Sequence, residues 1–510
     1  MTEEESAPRR WAVLAVLLAG MLMGGMDLTI LNVALPTVGR ELLPSSSELL
    51  WITDGYPLTV AATLVVCSTV GDRVGRKRLL VTGVSTFALA SLAAALSSAP
   101  GQLIAARAVQ GLGYAMMLSS TVVIIRVVFP VARERSLAYG LWVASSSTGA
   151  ALGPVLGGVL VEKYSWGAVF LVNVPIAVLA VVAVIVLVPE SRNPDARRFD
   201  VPSALLSILG LAGAVYALQH IGQPGNLSPV TIAVGVASVA LLVTFTVRQR
   251  RITNPLLDMR LFTDRRFSVS TVSILVCYGA YTGLLFLLTQ QLQLVDGYSP
   301  LKSGLTLVPV AVASALGGVV APKLAAAVGN RWGVTTGVSV LAVALIALAA
   351  FGAAGNLASL VGVGLGAGMV MTLGADSMMT AAPPERAAEA GAVQEVGFSL
   401  GAGLGVAAMG IIVTLAYGAN LDPVGGLTSD ESDAASESLS AAMDLADRLP
   451  GPAGGALRAG ARSAYETGFS VTTATVAAAL LILAALTAVL LRPAGPAVAA
   501  ATLRQEQTTA

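Results

Sequence analysis

The stretch Gly71-Asp72-Arg73-Val74-Gly75-Arg76-Lys77-Arg78 decides the fold through what stands on either side of it. Residues 51–70 before it and 79–98 after it are runs of about twenty mainly apolar residues, the length that crosses a lipid hydrocarbon core. Four cations crowded between two such runs mark their shared cytoplasmic end, because cytoplasmic loops of membrane proteins carry the excess of Lys and Arg. Gly71 and Gly75 permit the tight reversal that joins the runs. One helical hairpin in lipid follows, and the rest of the chain extends it.

Working outward, similar apolar runs occur at 11–33, 102–125, 137–160, 167–188, 201–221, 228–247, 268–292, 301–322, 334–353, 356–380, 388–416 and 467–491, so fourteen spans are expected. Of the 30 Lys and Arg, twenty-three fall on the side that holds Arg73–Arg78 and six on the other, with Arg107 inside a run. The bias alternates loop by loop and puts both termini in the cytoplasm. Composition agrees: 55% of residues are hydrophobic and only 12% charged, with mean hydropathy +0.80. A soluble domain carries about 25% charge. The lipid bilayer is therefore the main solvent, and a multi-pass protein of a bacterial inner membrane is expected, with no cleavable signal at its start.

Several classes drop out on counts alone. The single histidine, His220, leaves no His-based metal site or Ser-His-Asp triad, so no metal and no enzyme is expected. Cys67 and Cys277 both lie in apolar runs and read as buried thiols. No G-x-x-x-x-G-K-[ST] loop is present to bind a nucleotide. A net charge of +1 with no basic patch excludes nucleic acid as a partner.

The chain also repeats itself. Ala321-Pro322-Lys323-Leu324, running on to Gly329-Asn330-Arg331, is a worn copy of the 71–78 loop. Gly149, Gly153, Gly157 and Gly158 in the fifth run have a counterpart in Gly397, Gly401, Gly403, Gly405 and Gly410 of the thirteenth. The last six runs then match the first six. The expected architecture is all-α and integral to the membrane: two six-helix bundles with pseudo-two-fold symmetry plus two inserted helices. The bundles occupy 1–192 and 251–495, the inserted pair 193–250 and a cytoplasmic tail 496–510. A long outer loop at about 418–466 reads as a solvated connector, with a short surface helix conceivable at 430–448 through Leu439, Met443 and Leu445.

Four motifs in the first 175 residues carry a resemblance. They are Asp27-Leu28-Thr29-Ile30-Leu31-Asn32-Val33-Ala34-Leu35-Pro36, the 71–78 loop, Leu103-Ile104-Ala105-Ala106-Arg107-Ala108-Val109-Gln110-Gly111, and Gly149-Ala150-Ala151-Leu152-Gly153-Pro154-Val155-Leu156-Gly157-Gly158. Trp166–Phe170, Asn173 and Pro175 fit as well. In this order the chain resembles the major facilitator superfamily, in particular its fourteen-span drug:proton antiporter branch. The resemblance implies export of lipophilic, cationic small molecules in exchange for protons, by alternating access, as a monomer and with no cofactor beyond the proton gradient. The alternative on the same fold is a dedicated exporter of one compound, such as a self-made antibiotic or a lipid-like metabolite.

Charges deep in apolar runs are costly and face cavities or one another, so they are the candidate site. Asp27 is the first-helix acid of the motif, and a carboxyl that loads and releases a proton is the natural coupler between gradient and cargo. Glu395 resembles an acid found in the thirteenth helix of related pumps. Arg107 stays charged and is implied to tune a nearby carboxyl. Asp54 reads either as a cavity acid or as a solvated residue at a helix end, and Asp376 as the latter. The resemblance makes Gly71, Asp72, Arg73, Gly75, Arg76 and Lys77 a conformational clasp, with Asp72 at a helix N-terminus facing an arginine of the other bundle. Gly149, Gly153, Pro154, Gly157 and Gly158 form the antiporter motif, read as close helix packing with a kink. Tyr56, Tyr278, Tyr281, Phe286, Gln290, Gln291 and Met371 are candidates for pocket walls, each equally readable as packing.

Overall fold

The computed structural model describes residues 3–190, 200–221, 228–252, 255, 257, 259–352, 356–382, 387–422, 427–449 and 452–491. In chain order the helices are α1 (Glu3–Leu42), α2 (Ser46–Val74), α3 (Arg76–Ala95), α4 (Pro100–Val128), α5 (Ala132–Lys163), α6 (Ala168–Leu171), α7 (Asn173–Leu187), α8 (Val201–Ile221) and α9 (Pro229–Arg251). They continue as α10 (Arg265–Gln290), α11 (Pro300–Val328), α12 (Asn330–Phe351), α13 (Leu357–Ala381), α14 (Ala387–Asn420), α15 (Ser429–Glu437), α16 (Leu439–Arg448) and α17 (Pro452–Leu490). A 3-10 turn (Met259–Thr263) precedes α10 and a π-helical turn (Gln291–Val295) extends it. Helices are what the composition demands, since a backbone in lipid has to satisfy every N–H and C=O internally.

Each of the fourteen expected runs lies on a helix. Among the described residues eleven helices are long and apolar enough to cross a membrane, or twelve if the bent α2 is one span. The serine- and glycine-rich α5 is not among them, nor is α8, whose apolar stretch Val201–Ala214 is shorter. The expected boundary at 192–193, the tail 496–510 and six of the counted cations (Arg192, Arg197, Arg198, Arg386, Arg492 and Arg504) lie outside the described residues, as does the side chain of His220.

The repeat is visible at the two hairpins that suggested it. Gly75 joins α2 to α3 with φ 109°, and Gly329 joins α11 to α12 with φ 84°. Each donates its N–H back to the helix before it, to Gly71 at 3.0 Å and Ala325 at 2.8 Å. Each also accepts at its carbonyl from the helix after it, from Leu79 and from Gly333, both at 3.0 Å. A side chain at such a φ costs about 1–2 kcal/mol, so glycine is required at both corners.

Packing follows the same rule on both sides. α1 packs on α5, α4 on α2 and α3, and α3 on α7; α10 packs on α14, α13 on α11 and α12, and α12 on α17. Two seams join the sets, α5 against α11 and α2 against α14. α8 and α9 pack on each other, and α8 also touches both α2 and α14.

The 420–466 region departs from the solvated connector expected of it. It folds into α15, α16 and the first four turns of α17. Leu439, Ala442, Met443 and Ala446 of α16 lie at helical spacing and are buried in the main core. Tyr417 donates its hydroxyl to the carbonyl of Ala435 at 2.9 Å. Ser440 sits directly over Gly39 of α1, where a Cβ would lie 2.7 Å from its Oγ. The loop thus bridges both sets of helices. Beneath it a cavity is lined by Leu50, Phe286, Gln290, Tyr417, Leu439 and Tyr465.

Candidate functional site

Asp27 and Arg107 are fully buried and form an ion pair between α1 and α4. The other groups of the pair are also answered. Asn173 of α7 donates to Asp27 Oδ1 at 3.0 Å, and Gln110 donates to the same oxygen at 3.4 Å. Arg107 donates through Nη1 to Gln110 Oε1 at 3.0 Å and through Nε to the carbonyl of Ile52 at 3.2 Å. Gln110 in turn donates to Ser91 Oγ at 2.8 Å. Three residues separate Gln110 from Arg107, so both leave one face of α4. The guanidinium carbon lies 4.8 Å from the Tyr56 ring centroid and 5.8 Å from that of Phe170, which supplies cation–π contact on the remaining sides. Removing one member of a buried pair of this kind costs about 3–5 kcal/mol, because the survivor stays charged and unsolvated.

Asp54 is fully buried and not a solvated helix end. It lines a cavity with Asn32, Pro57, Arg107, Thr282 and Ala402, where α1, α2 and α4 meet α10 and α14. Glu395 stands half-buried on α14, across the seam. Phe398, three residues further along α14, packs against Tyr278 of α10 with ring centroids 5.1 Å apart. Asp376 is exposed. Cys67 and Cys277 are buried free thiols.

The loop motif is arranged differently from its expected geometry. Asp72 lies in the last turn of α2, not at a helix N-terminus, and pairs with Arg76 four residues on. Gly75 turns the chain so that the buried Arg76 also reaches the Ser119 carbonyl of α4 at 3.0 Å. The clasp closes here within α2–α4. Lys77 donates through Nζ to the Ile185 carbonyl at 2.8 Å, and Arg73 is exposed.

The glycines of α5 pack as read, and on two sides. A Cβ at Gly149 would stand 2.2 Å from the Leu22 carbonyl, and one at Gly153 2.1 Å from Thr29 Oγ1. At Gly157 it would meet the Ile30 carbonyl at 2.9 Å. Gly158 faces the other way, where a Cβ would lie 2.6 Å from Leu301 Cα of α11. Pro154 presents its carbonyl to Gly304 of α11, 2.1 Å from where a Cβ would be. The counterpart on α14 divides likewise: Gly401 and Gly405 meet α10, whereas Gly403 and Gly410 receive Leu58 and Leu50 of α2.

Of the pocket candidates, Tyr56 lies under Arg107, while Phe286 and Gln290 line the cavity beneath α16. Tyr278 and Tyr281 stack with centroids 6.1 Å apart. Gln291 belongs to the buried π-helical turn and Met371 is half-buried. Gln110, Asn173 and Ser91 were not foreseen as partners of Asp27 and Arg107. The first two stand in quoted motifs, and the three-residue spacing from Arg107 was a usable signal for Gln110.

A buried charge network shared by membrane-long helices, bordered by a cavity between two similarly packed sets, defines the class: a polytopic helical transporter. Residues 17–406 match the Major Facilitator Superfamily, and the chain belongs to that family, as a multi-pass membrane transporter and not an enzyme. It is 38% identical over 483 residues to the multidrug efflux pump LfrA of Mycolicibacterium smegmatis, covering 94% of this chain and 95% of that one. It is 35% identical to the methyl viologen resistance protein SmvA of Salmonella typhimurium, covering 93% and 97%. With the tetracenomycin C resistance and export protein of Streptomyces glaucescens it shares 31% identity over 96% and 93%. Among solved structures, a bacterial homologue of the human lysosomal transporter Spinster superposes with TM-score 0.69 at 16% identity, covering 97% of this chain and 100% of that one, which establishes the fold.

Proposed function

We propose that this chain is a proton-coupled antiporter of the cytoplasmic membrane that exports lipophilic cations. The observation that carries the reading is Asp27, a carboxyl sealed among helices and paired with Arg107, which itself lines the cavity that it and Asp54 share with the opposite helices. A carboxyl there can exchange a proton only when the cavity admits water, which links proton movement to the opening of the seams. Each proton entering gains about 2.3 kcal/mol per 100 mV of potential, but each positive charge leaving costs the same, so a one-for-one exchange with a monovalent cation runs on the pH difference, and a dication needs at least two protons for electrical neutrality. The names of LfrA and SmvA support drug-like substrates, and methyl viologen is a dication.

The architecture proposed with it has fourteen spans and both termini in the cytoplasm, as the positive charges require. Residues 1–192 and 251–495 are the two bundles that rock about the seams. The pair within 193–250 lies outside them, consistent with α9 packing on α8 and the 3-10 turn. The Asp72–Arg76 contact holds the cytoplasmic corner of the first bundle, and the α5 glycines hold α1 to α5.

Ethidium efflux from vesicles with an imposed pH gradient tests the reading. Gradient-dependent efflux abolished by a protonophore supports it, and efflux indifferent to the gradient sinks it. A dedicated exporter is the second reading, favoured by the 31% identity to the tetracenomycin C export protein over nearly the full chain. Proton-driven transport of one compound, with none of any dye, selects it.

A further inference from the structure

Residues 250–266, between α9 and α10, hold five arginines against two aspartates in a chain whose net charge is only +1. Their corner is firmly built. Gln249, buried near the end of α9, donates through Nε2 to Ser203 Oγ of α8 at 2.8 Å and accepts from the Leu257 N–H at 3.2 Å, which folds the chain back on α9. The 3-10 turn Met259–Thr263 then packs on both α9 and α10. Leu261 is buried, the Phe262 and Phe267 rings meet edge to face with centroids 5.3 Å apart, and Ser268 donates its hydroxyl to the Phe262 carbonyl at 2.7 Å. With these apolar side chains held together, Arg250, Arg251, Arg265 and Arg266 are left exposed. Other arginines of the same proposed side answer to acids: Arg10 to Glu134, Arg76 to Asp72, Arg78 to Glu190 and Arg248 to Asp200. Among the described residues the four at this corner form no ion pair. Asp264 caps α10 instead, its Oδ1 accepting from the Arg266 N–H at 2.7 Å.

The face of α9 that leads to this corner is apolar. Val236, Val239, Val243 and Val247 follow one another at three- and four-residue steps, all exposed, and the next such step reaches Arg250 and Arg251. Both α9 and α10 are long and apolar enough to cross a membrane, so their charged ends stand at headgroup depth. A valine stripe that ends in guanidinium groups matches an anionic phospholipid in both its parts, tail and phosphate. We propose that Arg250, Arg251, Arg265 and Arg266 form a headgroup site for an anionic phospholipid whose acyl chain lies along Val243 and Val247. Arginine suits the task because its planar fork meets two phosphate oxygens at once. A free phosphate would find the arginines but make no use of the valines. The bound lipid bridges the end of α9 and the start of α10, and so fastens the inserted pair to the second bundle. This tether is independent of the cargo and of proton coupling.

Pyrene-labelled phosphatidylglycerol and phosphatidylcholine with the same acyl chains, titrated onto the purified full chain in detergent, test the site. The wild type is expected to prefer phosphatidylglycerol by about twentyfold or more. The double substitutions Arg250→Gln with Arg251→Gln, and Arg265→Gln with Arg266→Gln, should each cut that preference by about tenfold or more, since one arginine near an anionic surface is worth about fivefold. Phosphatidylcholine binding should stay within twofold. Arg126→Gln with Lys323→Gln removes two exposed cations from other loops of the same proposed side, and should leave both lipids within twofold of the wild type. Should a double variant fail to elute as a single peak, its single substitutions take its place, each expected to lose about fivefold. Equal wild-type affinity for the two lipids, no loss in either double variant, or as large a loss in the Arg126 and Lys323 control would overturn the site. Displacement of the labelled lipid by millimolar inorganic phosphate at constant ionic strength would make it a site for free anions, and would overturn the lipid assignment.

Discussion

In the α1–α7 half, the deep acid and the deep base answer each other: Asp27 and Arg107 share a bond, and Gln110, Asn173 and the Ile52 carbonyl fill in around them. In the α10–α17 half no such pair is seen among the described residues. Between the arginines that open α10 and the exposed Asp376 that closes α13, helices α10 and α13 carry no charged residue at all. One acid on α14, Glu395, stands half-buried across the seam, and among the described residues it forms no ion pair. Similar packing thus supports different electrostatics, and under the proposed function the difference assigns two tasks. A charge satisfied within the protein is suited to an internal proton event, whereas a charge left open is suited to a visitor.

The sharpest way to break that division is Asp27→Asn. The amide keeps the shape and an oxygen for Asn173, but cannot exchange a proton. Efflux is expected to fall to background with the amount of protein in the membrane retained, read by immunoblot beside transport. Both substitutions strand one charge of a buried pair and should lower thermal stability, Arg107→Leu the more, by about 3–5 kcal/mol, since it also removes the hydrogen bonds to Gln110 and Ile52. Normal efflux in Asp27→Asn would remove the first-half acid from the cycle.

Glycine substitutions ask whether the halves are alike in packing while they differ in charge. Gly153→Val and Gly405→Val are expected to abolish monodisperse protein alike, because each side chain would be driven into the neighbouring helix. Gly397→Ala, with 3.7 Å to its nearest neighbour, should behave as wild type. Tolerance of valine at one site only would mean that the two contacts are not equivalent.

Glu395→Gln sharpens the second task. Ethidium binding should weaken about tenfold, as expected when a charge-assisted contact of about 1.4 kcal/mol is lost, with elution and melting unchanged. An unaltered Kd would return Glu395 to the status of a packing residue.

The smallest effect concerns the peripheral pair. Asp200, ahead of α8, accepts from Arg248 of α9 through Nη2 at 2.9 Å and Nε at 3.2 Å. That partner holds its carboxyl below the ordinary value near 4. Its folded pKa is the lower one, so the latch contributes fully at neutral pH and fades as pH falls through the folded value, below about 4. Asp200→Asn should therefore lower the melting temperature by a degree or so at pH 7, and by less at pH 3.5. An equal deficit at both pH values would show that the latch is not ionic.

The hairpin at 71–78 was legible because charge marks its side of the membrane and glycine its corner. The copy at 321–331 has lost most of the charge but kept the corner, as Gly329 shows, because positive φ leaves no cheaper residue. Asp27 and Arg107 stood out as ions in an apolar run, but their partnership was not visible, since it joins residues 80 apart on two helices. Neutral partners such as Asn173 and Ser91 carry still less signal, one amide or hydroxyl in a run being ordinary. In the outer loop the helix conceivable at 430–448 is present, as α15 and α16, but its burial was missed for a related reason. Leu439, Ala442, Met443 and Ala446 have the spacing of a buried helix face, but a chain rich in Ala, Ser and Asp reads as solvated until the surface that receives that face is known.

Consider finally what the bare contact between α1 and α5 does mechanically. With Gly149, Gly153 and Gly157 against α1, the two helices meet almost backbone to backbone, and Thr29 ties them by donating its hydroxyl to the Ala150 carbonyl at 2.9 Å. They form a single stiff beam. One edge of that beam, at Pro154 and Gly158, bears directly on α11, and another side of it presents Asp27 to α4 and α7. A tilt imposed at that bearing would turn the very helix that carries the carboxyl, as a wrench turns a bolt.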